Sequence, residues 1–324
     1  MGLKEVATIS ILLLTAVILG SAFVTKYKQE NGFNDRRFLE KGKDLPVIWI
    51  YVNSSDVNSR SWKDFMDRSE RAMNLPFLNL CYETIVQKNA KLYRVEVIAG
   101  LSDLAQRMGG WKALPTPLQN PATIVREPEL NWIRAAVLAK WGGLWVSPAV
   151  VWLNAMGPLP KKKAVFFGSD PDPAYARETD VPSLYVMWSP KPAHPLFVKW
   201  EQMVRARLER RSGGSEFRHD EKSDVEQLLS EFSADAVVFP SMEVSRKGAS
   251  QRRIELEDIL AAGTEGALPF TVDPKAKYLP IPYPEILERE AFGWFLRMSE
   301  DQIMESDLVI SHLLRRAGAS QIGV

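Results

Sequence analysis

The sequence predicts an α/β fold built around a mostly parallel sheet, and three observations support this prediction. Val47–Val52 is a continuous apolar, largely β-branched run that ends at Asn53, which is typical of a strand buried on both faces. Short apolar runs then alternate with segments of helical spacing along the chain. The chain has 324 residues, of which 46% are hydrophobic, so it is long enough to bury one large core.

The next elements follow from local patterns. An amphipathic segment is predicted at 62–73 and a helix at 80–86. Residues 92–98 are predicted as the second strand, because apolar and charged side chains alternate there. A strand, a helix and a strand in this order predict a parallel crossover unit.

Proline and glycine mark the boundaries of the central helix. Several prolines predict a loop before Arg126, and Pro128 suits the first turn of the helix that follows. We expect this helix to end at Gly142, because glycine accepts a left-handed backbone. Further strands are predicted at 144–146, Ala164–Phe167, 184–188 and Ala236–Phe239.

The second half of the chain contains three predicted helices. Pro195–Arg211 carries an apolar stripe that would pack on the sheet. Ser299 begins a capping box, and Ser306 is predicted to begin a last helix that ends at Gly318.

Composition excludes some classes of site. Forty-one basic and 40 acidic side chains leave a net charge of +1, which gives no whole-chain argument for a nucleic-acid partner. Cys81 is the only cysteine, so an internal disulfide and a cysteine-built metal cluster are excluded. Its apolar neighbours predict a buried thiol rather than a nucleophile.

An apolar run at the N-terminus predicts attachment to a membrane. Residues 6–24 carry no charge, and a stretch of this length is enough to span a bilayer. A cleaved signal peptide is the alternative, because Gly20-Ser21-Ala22 is an acceptable cleavage site. We therefore predict an anchor at 1–28, a polar tether at 29–45 and one domain at 46–324. The excess of lysine and arginine after the run favours a cytoplasmic domain, and a lumenal domain is the alternative.

The most specific motif lies where the central helix meets the next strand. Arg134 on the helix is followed by Trp141, Gly142 and Gly143, and then by an apolar strand. This block resembles the sugar-nucleotide glycosyltransferases of the Asp-x-Asp type, in particular the capsular-polysaccharide-synthesis and initiating-mannosyltransferase-like groups. A weaker resemblance extends over about residues 46–311. It implies a GT-A-like nucleotide-diphospho-sugar transferase fold with a Rossmann-like, mostly parallel sheet.

The chain departs from that pattern at the acidic positions. Asn131 stands where the family has its first Asp, and Ser147 and Ala149 stand where it has the Asp-x-Asp pair. Hydroxyl and methyl groups do not replace carboxylates as ligands of a hard cation. We therefore predict no metal at the family position. Mn²⁺ or Mg²⁺ would need a relocated site, for which Asp170 and Asp172 are the alternative, although Asp-Pro-Asp-Pro is also typical of a turn.

Candidate donor-binding residues come from this resemblance and from the expectation that ligands lie at the carboxyl ends of the strands. Tyr51 and Asn53 would contact a nucleobase, or else simply form a strand-end turn. Arg134 would neutralise a phosphate, or else anchor its helix. The remaining candidates are Asn131, Gly142, Gly143 and Ser147.

Candidate catalytic residues follow from the chemistry of sugar transfer. An inverting transfer needs a general base, for which we name Asp172 and Asp180, although both, with nearby Glu178, are equally typical of an exposed loop. His194, His219 and His312 are too scattered to predict a metal cluster. His312 alone is either a C-terminal metal ligand or a structural residue.

These observations lead to alternative functions. The first is a membrane-anchored glycosyltransferase-like protein that transfers a sugar from a nucleotide-sugar donor to a glycan or a lipid-linked acceptor. The second is a catalytically inactive relative that binds a glycan or a partner protein. The third is an unrelated α/β membrane protein. Four tryptophans near the motif suit a carbohydrate groove or, more simply, the core: Trp132, Trp141, Trp145 and Trp152.

Overall fold

The computed structural model describes residues 45–53, 75–167, 182–211, 221–239, 246–247, 252–263, 268–270, 272 and 274–319. The chain divides into two compact units, Met1–Leu45 and Pro46–Val324, and every described helix and strand belongs to the second unit. No helix among the described residues is long and apolar enough to cross a bilayer. The predicted anchor at 6–24 lies outside the described residues.

Strands and helices alternate through the first two thirds of the described chain, and helices dominate its C-terminal part. In chain order they are β1 (Val47–Val52), α1 (Pro76–Asn89), β2 (Arg94–Ala99), α2 (Gly100–Met108), α3 (Glu127–Trp141), β3 (Gly143–Val146), β4 (Val150–Trp152), β5 (Ala164–Phe167), β6 (Val186–Ser189), α4 (Pro195–Arg211), α5 (Glu221–Glu231), β7 (Ala236–Phe239), β8 (Arg246–Lys247), β9 (Arg252–Arg253), α6 (Leu256–Leu260), β10 (Tyr278–Pro280), α7 (Tyr283–Glu288), α8 (Glu300–Glu305) and α9 (Val309–Ala317).

The main sheet has six strands in the order β2-β1-β3-β6-β5-β7. β1 is parallel to both β2 and β3, and β5 is parallel to β7. β6 is antiparallel to β3 and β5, so it alone runs opposite to the other five strands. The predicted α/β architecture with a mostly parallel sheet is therefore confirmed. We call the side at which those five strands end the carboxyl edge, and the side at which they begin the amino edge.

The chain reverses its direction of travel across the sheet beside β1. It passes from β1 through α1 to β2 on one side, and then through α2 and α3 to β3 on the other side. α1 packs into one hydrophobic cluster and α3 into another, so helices cover both faces of the sheet. The crevice between the carboxyl ends of β1 and β3 is therefore a topological switch point.

Burial explains why β1 is apolar without interruption. Ile48, Ile50 and Val52 belong to the cluster on one face, whereas Trp49 and Tyr51 belong to the cluster on the other. Because side chains alternate between faces along a strand, a strand that is covered on both faces needs an apolar residue at every position.

Three predicted elements have the predicted bounds, several others differ by one to four residues at an end, and the start of the last helix is wrong. The helix predicted at 80–86 extends over Pro76–Asn89, and the amphipathic segment predicted at 62–73 lies outside the described residues. Ala164–Phe167, Ala236–Phe239 and Pro195–Arg211 have the predicted bounds, and α8 begins after the Ser299 capping box as expected. The last helix begins at Val309 and not at Ser306. The backbone before it is held extended, because Gly263 N–H donates to the carbonyl of Asp307 over 2.6 Å and Val309 N–H donates to that of Ala261 over 3.0 Å.

A second, two-stranded sheet was not predicted. β4 pairs antiparallel with β10, so Trp152 lies opposite Tyr278, more than a hundred residues later in the chain. Their rings stack with a centroid distance of 5.6 Å. The sheet closes the core beneath the loop that follows β3, because Ile281 N–H donates to the carbonyl of Ala149 over 2.9 Å.

Candidate functional site at the carboxyl edge

Asn53 and Ser147 mark the two sides of the switch-point crevice. Asn53 follows the last residue of β1, and Ser147 follows the last residue of β3. Both side chains are partly exposed. Ser147 is held in place by its backbone, whose N–H donates to the carbonyl of Tyr185 over 2.8 Å. The structure therefore brings these two predicted residues to the same edge of neighbouring strands.

Asn53 has an unsatisfied acceptor. Among the described residues, no donor reaches its buried side-chain oxygen Oδ1. A buried amide oxygen without a partner costs free energy that a ligand donor would recover. This oxygen suits the exocyclic amine or ring N–H of a nucleobase.

Tyr51 points elsewhere. Its side chain is 3% exposed and lies in the hydrophobic cluster beneath α3, not at the open edge. Stacking on a nucleobase requires an accessible ring face, so the position of Tyr51 suits the core. Asn53 is thus the polar candidate that β1 supplies to the edge.

Arg134 and Asn131 form a buried polar pair on α3. Arg134 is 4% exposed and Asn131 is fully buried. Arg134 Nη1 donates to Asn131 Oδ1 over 2.6 Å, and Nη1 and Nη2 donate to the Glu127 carboxylate over 3.0 and 3.2 Å. Glu127 thus neutralises the guanidinium from the first turn of the same helix. The alternative in which Arg134 anchors its helix describes this arrangement best.

Two donors of this pair remain unused. Arg134 Nε and Asn131 Nδ2 have no acceptor among the described residues. Both are buried, so water does not satisfy them freely and an oxygen-rich ligand would. The Glu127 side chain, which pairs with Arg134, is half exposed, so this polar group lies close to the protein surface.

Geometry places this pair level with Ser147. A helix rises about 1.5 Å per residue, so Arg134 lies about 12 Å back from Gly142 along α3. A strand rises about 3.3 Å per residue, so Ser147 lies about 13 Å beyond Gly143 along β3. Because the tight turn folds the helix back along the strand, Arg134 and Ser147 both lie toward the carboxyl edge.

Gly142 and Gly143 lie at the opposite, amino edge. Gly142 has φ +65° and Gly143 has φ +93°, which L side chains rarely adopt. A Cβ on Gly142 would lie 2.8 Å from the carbonyl carbon of Lys191, and one on Gly143 would lie 2.5 Å from the carbonyl oxygen of Val47. Trp49 Nε1 also donates to the carbonyl of Gly142 over 2.9 Å. The glycine pair therefore serves a tight helix-to-strand turn, and the structure does not bring it to the other donor-binding candidates.

The positions at which the sequence resemblance would require an Asp-x-Asp pair are unsuited to a metal in environment as well as in composition. Ala149, which stands at the second acidic position, is 1% exposed and belongs to the hydrophobic core. A carboxylate there would be buried among apolar side chains. Within the described ranges, no group of three or more His, Cys, Asp or Glu side chains is placed to hold a metal ion.

Several candidates lie outside the described residues. These are the two carboxylates of the alternative metal site, the two candidate bases with their acidic neighbour, and one histidine: Asp170, Asp172, Asp180, Glu178 and His219. Their predicted roles remain predictions.

The other singled-out residues are structural. Arg315 Nη2 donates to His312 Nδ1 over 2.8 Å, so Nε2 carries the proton and donates to the carbonyl of Gly263 over 3.2 Å. Cys81 is fully buried, which confirms the predicted buried thiol, and burial raises its pKa. Trp132, Trp145 and Trp152 are at most 1% exposed, so they serve the core rather than a carbohydrate groove.

His194 precedes α4 at the amino edge and is 2% exposed. Burial lowers its pKa below the usual value, while the charge of Asp235 opposes and that of Lys191 adds to this effect. The unfolded chain therefore binds a proton that the folded chain does not. It follows that stability is lost as the pH falls below about 6.5, the usual histidine pKa, and is retained above it.

We expect this loss to disappear when the imidazole is removed. Urea denaturation at pH 8 and pH 5 should show a larger fall in unfolding free energy for the wild-type chain than for His194→Gln. The matched control is Leu196→Val, a buried position of α4 without a titratable group, which should lower stability equally at both pH values and so leave the wild-type difference in place. An equal fall in wild type and His194→Gln would contradict this assignment.

The role of Glu127 was missed in the sequence, although a signal for it exists. Residues seven apart lie on the same face of a helix after two turns, so Glu127 and Arg134 were positioned to meet through Asn131. In this first turn only Pro128 is interpreted from the sequence, as a residue suited to a helix start.

Neither a scan against protein-family models nor a search of curated proteins found a match for this chain. The fold itself defines the class: an α/β protein with a mostly parallel, Rossmann-compatible sheet and a polar switch-point crevice.

Proposed function

We propose that this protein is a membrane-anchored, GT-A-like glycosyltransferase that binds a nucleotide-diphospho-sugar at the carboxyl edge. It would pass the sugar to a glycan or a lipid-linked acceptor. The observation that carries the proposal is the switch-point crevice between β1 and β3, where Asn53 follows the end of one strand and Ser147 follows the end of its neighbour. The motif from Arg134 to Gly143 supports it through the resemblance described above.

Each described polar group has a part in this proposal. Asn53 Oδ1 would accept a hydrogen bond from the nucleobase, and Ser147 would bond a ribose or phosphate oxygen. Arg134 Nε and Asn131 Nδ2 would donate to the diphosphate or to the sugar. For this, the Glu127 carboxylate would have to swing toward solvent, which its half-exposed position permits.

In the proposed reaction, Arg134 would offset the negative charge on the leaving diphosphate, and no metal held by the loop after β3 would take part. A carboxylate pair is missing from that loop, and one of its two positions is in the core. In the proposed reaction the bond between the sugar's anomeric carbon and the diphosphate oxygen breaks, and a bond to an acceptor hydroxyl forms. The acceptor's proton would pass to a base such as Asp172 or Asp180.

Calorimetric titration of sugar nucleotides into the full chain, kept in solution with a mild detergent, tests the proposal. We expect micromolar binding of at least one donor without Mn²⁺. Asn53→Ala should weaken it by about tenfold or more, since a buried hydrogen bond contributes about 1.4 kcal/mol. Lys162→Ala at the amino edge is the matched control and should bind as wild type.

The outcomes separate the alternatives. Donor binding that needs Mn²⁺ would point to a relocated metal site, and binding that Asn53→Ala leaves unchanged would place the donor elsewhere. No binding of any donor, with or without Mn²⁺, would overturn the proposal in favour of a catalytically inactive protein that binds a glycan or a partner.

A further inference from the structure

The amino edge of the sheet carries a concentration of positive charge that the whole-chain composition hides. Six exposed lysines lie on this side, one in the turn that follows α2 (Lys112) and the others in loops that enter or leave the strands: Lys91, Lys161, Lys162, Lys163 and Lys191. Among the described residues of the same loops, the one acidic side chain is Asp235. The chain as a whole has a net charge of only +1, so the excess of basic over acidic side chains in these loops is a local property.

Hydrogen bonds between the loops show that they form one surface. Lys140 Nζ, at the end of α3, donates to the carbonyl of Met108, at the end of α2, over 2.8 Å. Ala193 N–H donates to the carbonyl of Ala139 over 2.7 Å, which fixes the loop carrying Lys191 against α3.

The remaining loops join the same surface. Trp188 Nε1 donates to the carbonyl of Pro160 over 2.9 Å, which places the Lys161–Lys163 run beside the end of β6. Tyr93 Oη donates to the carbonyl of Gly157 over 3.1 Å, which connects the loop carrying Lys91.

Apolar groups lie among these cations. Leu92 is 45% exposed beside Lys91. Trp111 and Trp141 are partly exposed at the ends of the adjoining helices. Indole rings and lysines side by side are typical of surfaces that meet the headgroup region of a bilayer, where the ring lies among lipid chains and the ammonium among phosphates.

We propose that the amino edge is a docking surface for an anionic lipid bilayer. The described chain enters the domain at this edge, because Pro46 immediately precedes β1 and accepts a hydrogen bond from Arg94 N–H over 3.0 Å. The sequence that precedes it contains the uncharged apolar run at 6–24. If that run spans a bilayer, as the sequence predicts, residues 25–45 connect the bilayer to the basic edge. Docking of this edge would leave the carboxyl edge, with Asn53 and Ser147, facing away from the membrane.

The chemistry of the cations favours lipid over nucleic acid. All six of these cations are lysines, which attract mobile phosphate headgroups as point charges, and none is an arginine, whose planar fork makes the bidentate base and phosphate contacts common in nucleic-acid interfaces. Each lysine close to an anionic leaflet strengthens binding by about fivefold.

A fluorescent label on the full chain tests which edge meets the bilayer. Cys81 is the chain's only cysteine and is buried, so a label directed to an introduced cysteine reports from that position. Ser233→Cys places it at the amino edge, just before β7, and Ser102→Cys places it in the first turn of α2 at the carboxyl edge. Both serines are exposed, which makes the two variants a matched pair.

The readout is quenching by lipids that carry a spin label on the headgroup. On vesicles containing phosphatidylserine we expect strong quenching of the label at position 233 and weak quenching at position 102. Quenching at 233 should fall on vesicles of phosphatidylcholine alone and when salt is raised, because screening weakens the attraction.

Charge variants identify the groups responsible. Lys161→Gln, Lys162→Gln and Lys163→Gln together should lower the docking constant about 100-fold, at about fivefold for each lysine. Arg126→Gln, Arg210→Gln and Arg297→Gln remove the same charge from exposed positions away from the amino edge and should leave docking unchanged. Unaltered urea midpoints in both triple variants show that folding is intact.

Three results would overturn the proposal. They are equal quenching at the two label positions, equal quenching on neutral and anionic vesicles, and equal effects of the two triple variants. Tight binding of a short RNA, together with no quenching on anionic vesicles, would assign the surface to nucleic acid instead. None of these readouts depends on a sugar nucleotide, so the result is independent of the proposed transferase function.

Discussion

Gly143→Ala is expected to lower the free energy of unfolding by about 4 kcal/mol, a loss typical of severe backbone clashes. Two effects combine at this position. The backbone has φ +93°, and the added Cβ would lie 2.5 Å from the carbonyl oxygen of Val47 and 3.1 Å from Trp49 Nε1. Neither neighbour moves easily, because Val47 belongs to β1, which is paired on both sides, and Trp49 Nε1 donates a hydrogen bond to the carbonyl of Gly142. Urea denaturation of the purified variant measures the loss.

Two other glycines distinguish the cost of backbone strain from the cost of a steric clash. Gly109 has φ +104° but nothing within 4 Å of an added Cβ, so Gly109→Ala should cost about 1 kcal/mol from backbone strain alone. Gly157 has open space and no positive φ, so Gly157→Ala should change stability by less than about 0.5 kcal/mol. If Gly143→Ala proved no worse than Gly109→Ala, close packing would not be the reason for the glycine pair.

Ala149→Asp is the second large effect that we expect, again about 4 kcal/mol, because it places an unpaired carboxylate in the core. Ala149 is 1% exposed and packs with the apolar residues of β4. Burial raises the pKa of such a carboxyl group, so the loss should grow as the pH rises above about 4. Urea denaturation at pH 4 and pH 7 measures both effects.

The same change examines the metal position directly. The double variant Ser147→Asp with Ala149→Asp introduces an Asp-x-Asp pair at these positions, yet we expect Mn²⁺ to leave its urea midpoint unchanged, since a buried second acid does not face the crevice. Ser147→Asp alone is the control, and its partly exposed side chain should cost less than about 1 kcal/mol. A rise in stability with Mn²⁺ would show that the position still forms a metal site.

Much of the fold was predictable because its signals are local. The unbroken apolar run of β1 indicates that the strand is buried on both faces. Pro128 and Gly142 indicate the two ends of α3, because each residue has a backbone preference that suits its position. The start of α9 was not predictable from Ser306. A pairing with residues 261–263 holds that stretch extended, and such a long-range constraint leaves no local pattern.

The candidate site was predictable only in part. Asn53 and Ser147 follow apolar strands, and sequence alone places both at strand ends. The motif around Gly142 and Gly143 was interpreted as part of the donor site, whereas its glycines are required by contacts with Val47 and Lys191 at the other edge. A sequence motif records which residue types a turn needs, and it does not record which side of the sheet the turn occupies.

The sequence by itself determined the α/β class, the order of its main elements and the absence of an Asp-x-Asp pair after the helix-to-strand turn, because hydrophobic periodicity, capping residues and side-chain chemistry are local properties. Only the tertiary structure decided that Arg134 is held by Glu127 and that Ala149 is buried in the core. It also decided that the lysines of distant loops share one edge. These features depend on which strands become neighbours, and strand order is set by packing across the whole sheet rather than by any one segment.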